Sequence, residues 1–274
     1  MFIRNACVIV LLVVCGNSVA QETEPTKDGA ESTKLRALLD RTVDIFQVSP
    51  TRDSAIAMKP KSVLRWTNEE RDSHSAGLVV LWIDCGQPAA ALASYTWAGS
   101  LCYEFDLLSR EPVVAKQQAS TIWQPKAGLK FQPLPNAPAI ETTAPARLRQ
   151  MKALSEQFGA TMLGWRSDKS DRAELRRLPR ELYRYQPESA DVIDGAVFAF
   201  VQGTDPEALL LIEAVNLKSR SEWQYAFVRQ TSGELEGRHN NQVVWSAEMH
   251  PLRNDPTSSG ISLRGSDLKT ELAK

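Results

Sequence analysis

GAVFAFVQGTDPEALLLIEAV, residues 195–215, contains two apolar segments that are separated by a short turn. Residues 196–201 are apolar at both odd and even positions, which predicts a β-strand with both faces covered. Gly203, Asp205 and Pro206 are residues that favour a tight turn. We therefore predict a β-hairpin at the centre of an antiparallel sheet.

The same order of landmarks occurs roughly 120 residues earlier, which is typical of an internal repeat. Each copy has an amphipathic helix, a proline before a short aromatic strand, two long apolar strands, and a last hairpin that carries Trp123 or Trp245. We predict an α+β fold formed by tandem duplication of a helix plus antiparallel β-meander unit. The two units are expected to be pseudo-twofold related, with both tryptophans buried.

Composition divides the chain into segments with different properties. Apolar residues recur at helical spacing in 35–46 and 148–158, which predicts one amphipathic helix at the start of each copy. Five prolines from Pro125 to Pro145 are incompatible with a helix interior or a central strand. The predicted segments are a signal peptide (1–20), a disordered tether (21–33), the first repeat (34–125), a proline-rich linker (126–145), the second repeat (146–248) and a flexible tail (249–274).

The third long strand of the first copy shows strict alternation. Tyr103 and Phe105 are separated by Glu104, and Asp106 follows. Such a pattern predicts one face in the core and one face that is largely solvated. We therefore expect Glu104 and Asp106 to face solvent.

The first twenty residues have the features of an export signal. Arg4 supplies the positive charge, residues 6–15 are apolar, and Ser18-Val19-Ala20 is a small-x-small cleavage site. An apolar core of about ten residues is too short to span a bilayer. We expect an exported protein, periplasmic or extracellular, with no transmembrane segment in the mature chain.

Removal of the signal leaves Cys85 and Cys102 as the thiols of the mature chain. They flank a predicted strand of about nine residues, which spans roughly 30 Å. A disulfide requires Cα atoms within about 7 Å of each other. We expect both thiols to be free.

Charge and motifs exclude several classes of function. The chain has 32 Lys and Arg against 33 Asp and Glu, with no long basic run, so we expect no nucleic-acid partner. His74, His239 and His250 lack the spacing of a metal site, and nucleotide-binding and Gly-x-Ser-x-Gly motifs are absent from the sequence. We expect no metal or cofactor and assign no catalytic residue.

Five residues are candidates for binding. Arg65 with Trp66, and Arg184 with Tyr185, form a duplicated pair whose members point in opposite directions from a strand. If the aromatic residues face the core, the two arginines could clamp an anion or a carboxylate, or they could be ordinary edge-strand residues. Glu213 interrupts an apolar run, so it lies either at the open end of its strand or buried with a partner.

Two segments carry a resemblance to a known family. LRRLPRELYRY, residues 175–185, and DGAVFAFVQGTDPE, residues 194–207, resemble a family of exported planctomycete-type bacterial proteins. The resemblance extends over most of the mature chain. It implies export and a shared fold, and because the family has no known activity it brings no catalytic residues.

These observations favour an exported, non-catalytic binding or interaction protein. Its partner would be an envelope protein or a small ligand. The alternative is a small hydrolase with a carboxylate such as Glu213 or Asp205 in a cleft between the repeats. Convergent acidic or histidine side chains in a pocket would favour the enzyme, whereas an apolar or arginine-rimmed groove would favour binding.

Overall fold

The computed structural model describes residues 27–68, 75–164, 171–187, 191–218, 220–251 and 255–273. The predicted signal peptide, the first part of the predicted tether and His74 lie outside the described residues. Within them, the chain is built mainly from antiparallel strands with few helices, so the prediction of an antiparallel, β-rich α+β fold is confirmed.

The first unit consists of a helix followed by seven strands, and a strand and helix from the end of the chain join it. Its elements are α1 (Lys27–Asp44), β1 (Phe46–Pro50), β2 (Lys59–Asn68), β3 (Ser75–Asp84), β4 (Gln87–Trp97), β5 (Ser100–Leu107), β6 (Val113–Gln117), β7 (Ser120–Trp123), β17 (Gly260–Asp267) and α3 (Leu268–Leu272). Within the described residues they form a five-stranded sheet, β17-β5-β4-β3-β2, and a three-stranded sheet, β1-β6-β7.

The second unit contains the remaining strands and one helix. Its elements are β8 (Gln132–Pro133), α2 (Ala144–Ser155), β9 (Phe158–Leu163), β10 (Arg172–Arg177), β11 (Tyr183–Tyr185), β12 (Val192–Gln202), β13 (Asp205–Leu217), β14 (Arg220–Arg229), β15 (Glu234–His239) and β16 (Gln242–Ala247). They form one sheet with the order β16-β15-β9-β10-β12-β13-β14-β8, and β11 also pairs with β12.

Strand order is the same in the two units. The series β7-β6-β1 and β3-β4-β5-β17 of the first unit matches β16-β15-β9 and β12-β13-β14-β8 of the second, and β10 and β11 together take the place of β2. The units also differ, because β9 pairs with β10 whereas β1 and β2 lie in separate sheets. In addition, β17 comes from the end of the chain, whereas β8 precedes the other elements of its unit.

A glycine opposite an aromatic residue occurs at the same place in each unit. Gly77 pairs with Trp66, and Gly195 pairs with Tyr185. A Cβ atom on Gly77 or Gly195 would lie 2.4 Å or 2.3 Å from the facing ring, so a larger residue would displace that ring. Glycine therefore allows each ring to lie flat across the neighbouring strand.

Each helix covers the outer face of its own sheet. In the first unit Leu39 of α1 shares a core with Trp82 and Phe105, and in the second Met151 of α2 shares a core with Phe198. A third core lies between the two sheets and contains residues from both units: Leu81, Ala91, Val197, Ala199, Leu209 and Leu211. The central strands are thus covered on both faces, which explains their uninterrupted apolar sequences.

Contacts between the units are reciprocal. The Asn68 side chain, at the end of β2, donates to the Gln202 carbonyl beside the β12–β13 turn at 3.3 Å. Tyr183 of β11 donates through its hydroxyl to the Gly86 carbonyl in the β3–β4 turn at 3.2 Å. Each unit therefore holds the hairpin turn of the other.

Three predicted segments are more ordered than their composition indicates. The predicted tail supplies β17, which pairs with β5, and its Ile261 and Ser262 are buried. The predicted linker supplies β8, which pairs with β14, and α1 already begins at Lys27 in the predicted tether. Each added strand covers a sheet edge that would otherwise expose unpaired backbone groups.

Both described cysteines are free, as predicted. Cys85 is exposed in the β3–β4 turn, and Cys102 is buried in β5. Burial raises the pKa of the Cys102 thiol to about 11, so this thiol is protonated and unreactive at neutral pH.

The two hairpin tryptophans differ in burial. Trp123 is fully buried and donates to the Ser258 carbonyl at 2.9 Å, whereas Trp245 is half-buried and stacks on Phe227. The prediction that both are substantially buried is therefore correct for Trp123 and only partly correct for Trp245.

Truncation of the two tryptophans should have unequal effects. We expect Trp123→Ala to lower the free energy of unfolding by about 3 to 5 kcal/mol, because it opens a cavity and removes a buried hydrogen bond. Trp245→Ala should cost less, since Trp245 is only partly buried. Denaturant unfolding of the two variants provides the measurement, and equal losses would contradict this account of the core.

Candidate functional site

A cleft of about 550 Å³ opens where the two units meet. The first unit contributes the β3–β4 turn and the segment after β5, and the second contributes the start of β12 and the end of β13. This volume falls within the range of small-molecule sites, which are commonly found between domains.

Glu213 lies on the floor of the cleft and is almost fully buried. On β12 the glycine Gly195 pairs with Tyr185 on one side and with Glu213 on the other. Because Gly195 has no side chain, the Tyr185 ring crosses it, and its hydroxyl donates to Oε1 of Glu213 at 2.7 Å. Of the two positions predicted for Glu213, the structure has the buried one with a partner.

Arg110 completes the arrangement from the first unit. Its Nη2 lies 2.7 Å from Oε2 of Glu213 and donates to Oε1 of Gln224 at 3.0 Å. The guanidinium also stacks on the Phe131 ring, 3.8 Å from its centroid. An ion pair between the two units therefore forms the floor of the cleft.

The electrostatics fix the role of Tyr185. Burial, followed by the negative charge of Glu213, raises the pKa of Tyr185 well above its usual value. The phenol is therefore protonated throughout the physiological range, and it acts as a hydrogen-bond donor to Glu213.

The rim of the cleft carries both signs of charge. Arg52 and Asp84 form an ion pair at 2.5 Å, and this hydrogen bond raises the pKa of Arg52. The Cys85 thiol lies next to this pair and donates to Asp84 at 3.5 Å. The other charged residues of the rim are Glu111, Asp191 and Lys218.

Arg184 is occupied by a carboxylate of its own unit. Its Nε and Nη2 donate to the two oxygens of Asp194 at 3.0 Å and 2.7 Å, which raises the pKa of Arg184. Arg147 of α2 donates to the same carboxylate at 2.9 Å, and Gln186 donates at 3.1 Å. Asp194 is fully buried, so this cluster attaches α2 to the sheet.

Arg65 occupies the equivalent position in the first unit. It pairs with Asp40 of α1, while Trp66 is buried and lies 6.4 Å from the Tyr95 ring. The two arginines thus serve separate helix–sheet contacts, and the structure does not bring them together as the clamp hypothesis requires. Of the five candidates, it brings Tyr185 and Glu213 into contact.

Arg110 was missed by the sequence reasoning. It lies in a short loop after β5, and its neighbours Ser109 and Glu111 give no distinctive pattern. Asp205, the other acid considered for hydrolysis, begins β13 and does not line the cleft.

The comparisons with known proteins do not supply a class for this fold and site. No protein-family model, curated protein or solved structure matches the chain. Among the residues that the structure describes, no helix is both long and apolar enough to cross a membrane. In the same residues, no group of three or more His, Cys, Asp or Glu side chains is arranged to hold a metal ion.

The Asp194 cluster should contribute strongly to stability. Asp194→Ala leaves the largely buried Arg147 without its carboxylate, and we expect the free energy of unfolding to fall by about 3 to 5 kcal/mol. Asp40→Ala is the matched control, because it removes the exposed partner of Arg65 and should cost about 0 to 1 kcal/mol. Similar losses in the two variants, measured by denaturant unfolding, would contradict the structural role of Asp194.

Proposed function

We propose that the protein is an exported, non-catalytic binding protein that holds a small polar ligand in the cleft between its two units. The Arg110–Glu213 ion pair carries this proposal, because its two members come from different units and line a cleft of suitable volume. A ligand that contacts both residues would bind to the two units together.

Export is part of the proposal. The pattern of Arg4, the apolar residues 6–15 and the Ser18-Val19-Ala20 site supports secretion to the periplasm or beyond. The resemblance to exported planctomycete-type proteins supports membership of that family.

We also propose that the two units arose by tandem duplication and are related by a pseudo-twofold axis. The common strand order, the Trp66–Gly77 and Tyr185–Gly195 pairs and the reciprocal turn contacts support this origin. Tyr95 pairs with Gly77 as Glu213 pairs with Gly195. The carboxylate of the cleft therefore has an aromatic residue as its counterpart.

Recognition of a ligand carboxylate would depend on Arg110, because the lining as a whole has four carboxylates against three cationic side chains. The Arg110 side chain is 39% exposed, so part of its guanidinium is accessible from the cleft. At the rim, Arg52 is paired with Asp84, and Lys218 lies among the same lining residues as Glu111 and Asp191. A planar guanidinium held in place by Glu213 and Phe131 is well suited to bidentate recognition of a carboxylate.

A ligand screen with matched variants tests this proposal. The probes are small carboxylic acids, α-amino acids and dipeptides, and their binding is measured by calorimetry. We expect Arg110→Gln to weaken binding of the best probe by about 10-fold or more, because a charge-assisted hydrogen bond is lost. Arg65→Gln is the control, since Arg65 is similarly exposed at 43% and is also paired with a carboxylate.

Cys85 provides a second measurement in the same experiment. Its exposed thiol lies in the lining of the cleft, so a bound probe should slow its alkylation. If no probe binds, or if the two arginine variants weaken binding equally, the cleft is not a carboxylate site.

The hydrolase alternative has one observation in its favour, since four carboxylates line the cleft: Asp84, Glu111, Asp191 and Glu213. Against it, both oxygens of Glu213 are already engaged, Oε1 by the Tyr185 hydroxyl and Oε2 by the Arg110 guanidinium. Hydrolysis of nitrophenyl esters or glycosides by the wild type, abolished in Glu213→Gln, would establish the enzyme and exclude the non-catalytic proposal.

A further inference from the structure

The opposite end of the interface between the units contains a second group of acids. Glu104 and Asp106 of β5 point toward the other unit and are 4% and 3% exposed. The expectation that this face of β5 is solvated is wrong, because the second sheet covers it. Glu207 of β13, 1% exposed, approaches Glu104 from the second unit.

The groups around Glu104 come from every neighbouring strand. Ser262 of β17 donates to Oε1 of Glu104 at 3.1 Å, and Gln230 donates through Nε2 to Oδ2 of Asp106 at 2.9 Å. The titratable and charged groups that face Glu104 are Tyr95 of β4, Cys102 and Asp106 of β5, Glu207 of β13 and Arg229 of β14.

Arg229 partly offsets the negative charge of Glu104 and Asp106. Its guanidinium donates to the backbone carbonyls of Thr231, Glu248 and Gly233 at 2.7, 2.9 and 2.5 Å. The positive charge is therefore nearby, while its hydrogen bonds are directed to the segment after β14.

Three carboxylates and one amide oxygen without a donor among the described residues are buried together in this cluster. The hydroxyls of Ser262 and Tyr95 donate to Glu104, and the Gln230 amide donates to Asp106. Oε1 of Gln230 is buried and accepts no hydrogen bond from any described residue. A proton on a carboxyl group would supply the missing donor and remove one of the repelling charges.

We propose that Glu104, Asp106, Glu207 and Gln230 form a proton-binding site that joins the two units, and that loss of its proton weakens their packing. The proposal is independent of the ligand assigned to the cleft, which lies at the other end of β13. In the packed protein Glu104 holds the proton at mildly acidic pH.

The electrostatic environment agrees with this geometry. Burial, and then the charge of Glu207, raises the pKa of Glu104 from 4.5 to about 7. Burial, and then Glu104, raises the pKa of Asp106 well above its usual value. The hydrogen bonds from Ser262 and Tyr95 and the charge of Arg229 act in the opposite direction on Glu104 and do not cancel the effect.

The sign of the pH dependence follows from proton binding. Between the unfolded pKa of 4.5 and the folded value of about 7, the folded protein holds a proton that the unfolded chain releases. The stabilisation is fully present below this window and is lost as the pH rises through it. The raised pKa of Asp106 has the same sign, so it also makes the folded protein less stable as the pH rises.

Thermal unfolding of the mature protein tests the proposal. We expect the Tm of the wild type to fall by about 5 °C or more as the pH rises from about 5 to about 8. Glu104→Gln should flatten this slope, because an amide keeps the shape and does not titrate. Glu141→Gln is the control: its glutamate is exposed and lies just before α2, which covers the outer face of the second sheet, so the Tm should keep its wild-type dependence on pH.

Infrared difference spectroscopy observes the proton directly and does not depend on the stability of a variant. The wild type should show a protonated carboxyl band that disappears with an apparent pKa near 7, and Glu104→Gln should lack it. Glu207→Gln should lower this apparent pKa, since it removes a like charge that belongs to the other unit.

Three outcomes would overturn the proposal. The first is a Tm that changes equally with pH in the wild type and in Glu104→Gln, together with an infrared spectrum that shows no protonated carboxyl band near neutral pH. The second is an apparent pKa that Glu207→Gln does not move, because the cluster would then not join the units. The third is a pH dependence of the Tm that vanishes when Ca²⁺ is added at constant ionic strength. This result would identify the cluster as a cation site.

Discussion

The contact between the two sheets is the interaction on which the other features depend. Each sheet already carries a helix on its outer face, so its inner apolar face can leave water only against the other sheet. Leu81 and Ala91 of one unit meet Val197, Leu209 and Leu211 of the other. Full burial of a single leucine contributes about 1.5 to 3 kcal/mol, and this contact buries several at once. The cleft and the acid cluster exist because the sheets meet in this way.

Polar groups occupy the two ends of this apolar contact, and β13 connects them. Glu213, near one end of the strand, is neutralised by Arg110 across the interface. Glu207, near the other end, faces two more acids, and the nearby Arg229 directs its hydrogen bonds elsewhere. The first arrangement suits a fixed anion beside an accessible cation. The second suits a group that changes its protonation.

Much of the architecture follows from local sequence, while the polar contacts between units do not. The apolar segments around Gly203 and Pro206 predict the central hairpin, and an acid inside such a segment identifies Glu213 as unusual. Alternation in β5 predicts a solvated face at Glu104, because a sequence pattern cannot show that a second sheet lies there. The serine- and glycine-rich segment before Gly260 indicates a loop, and its pairing with β5 depends on an edge that is distant in sequence.

The position of β17 in the chain determines which of the two units can be completed first during folding. The edge of β5 is completed by a strand that begins at Gly260, after the whole second unit has been synthesised. Closing so long a loop carries an entropic cost that local hairpins avoid, and contacts distant in sequence slow folding. The first unit to emerge from the ribosome is therefore the last to be finished.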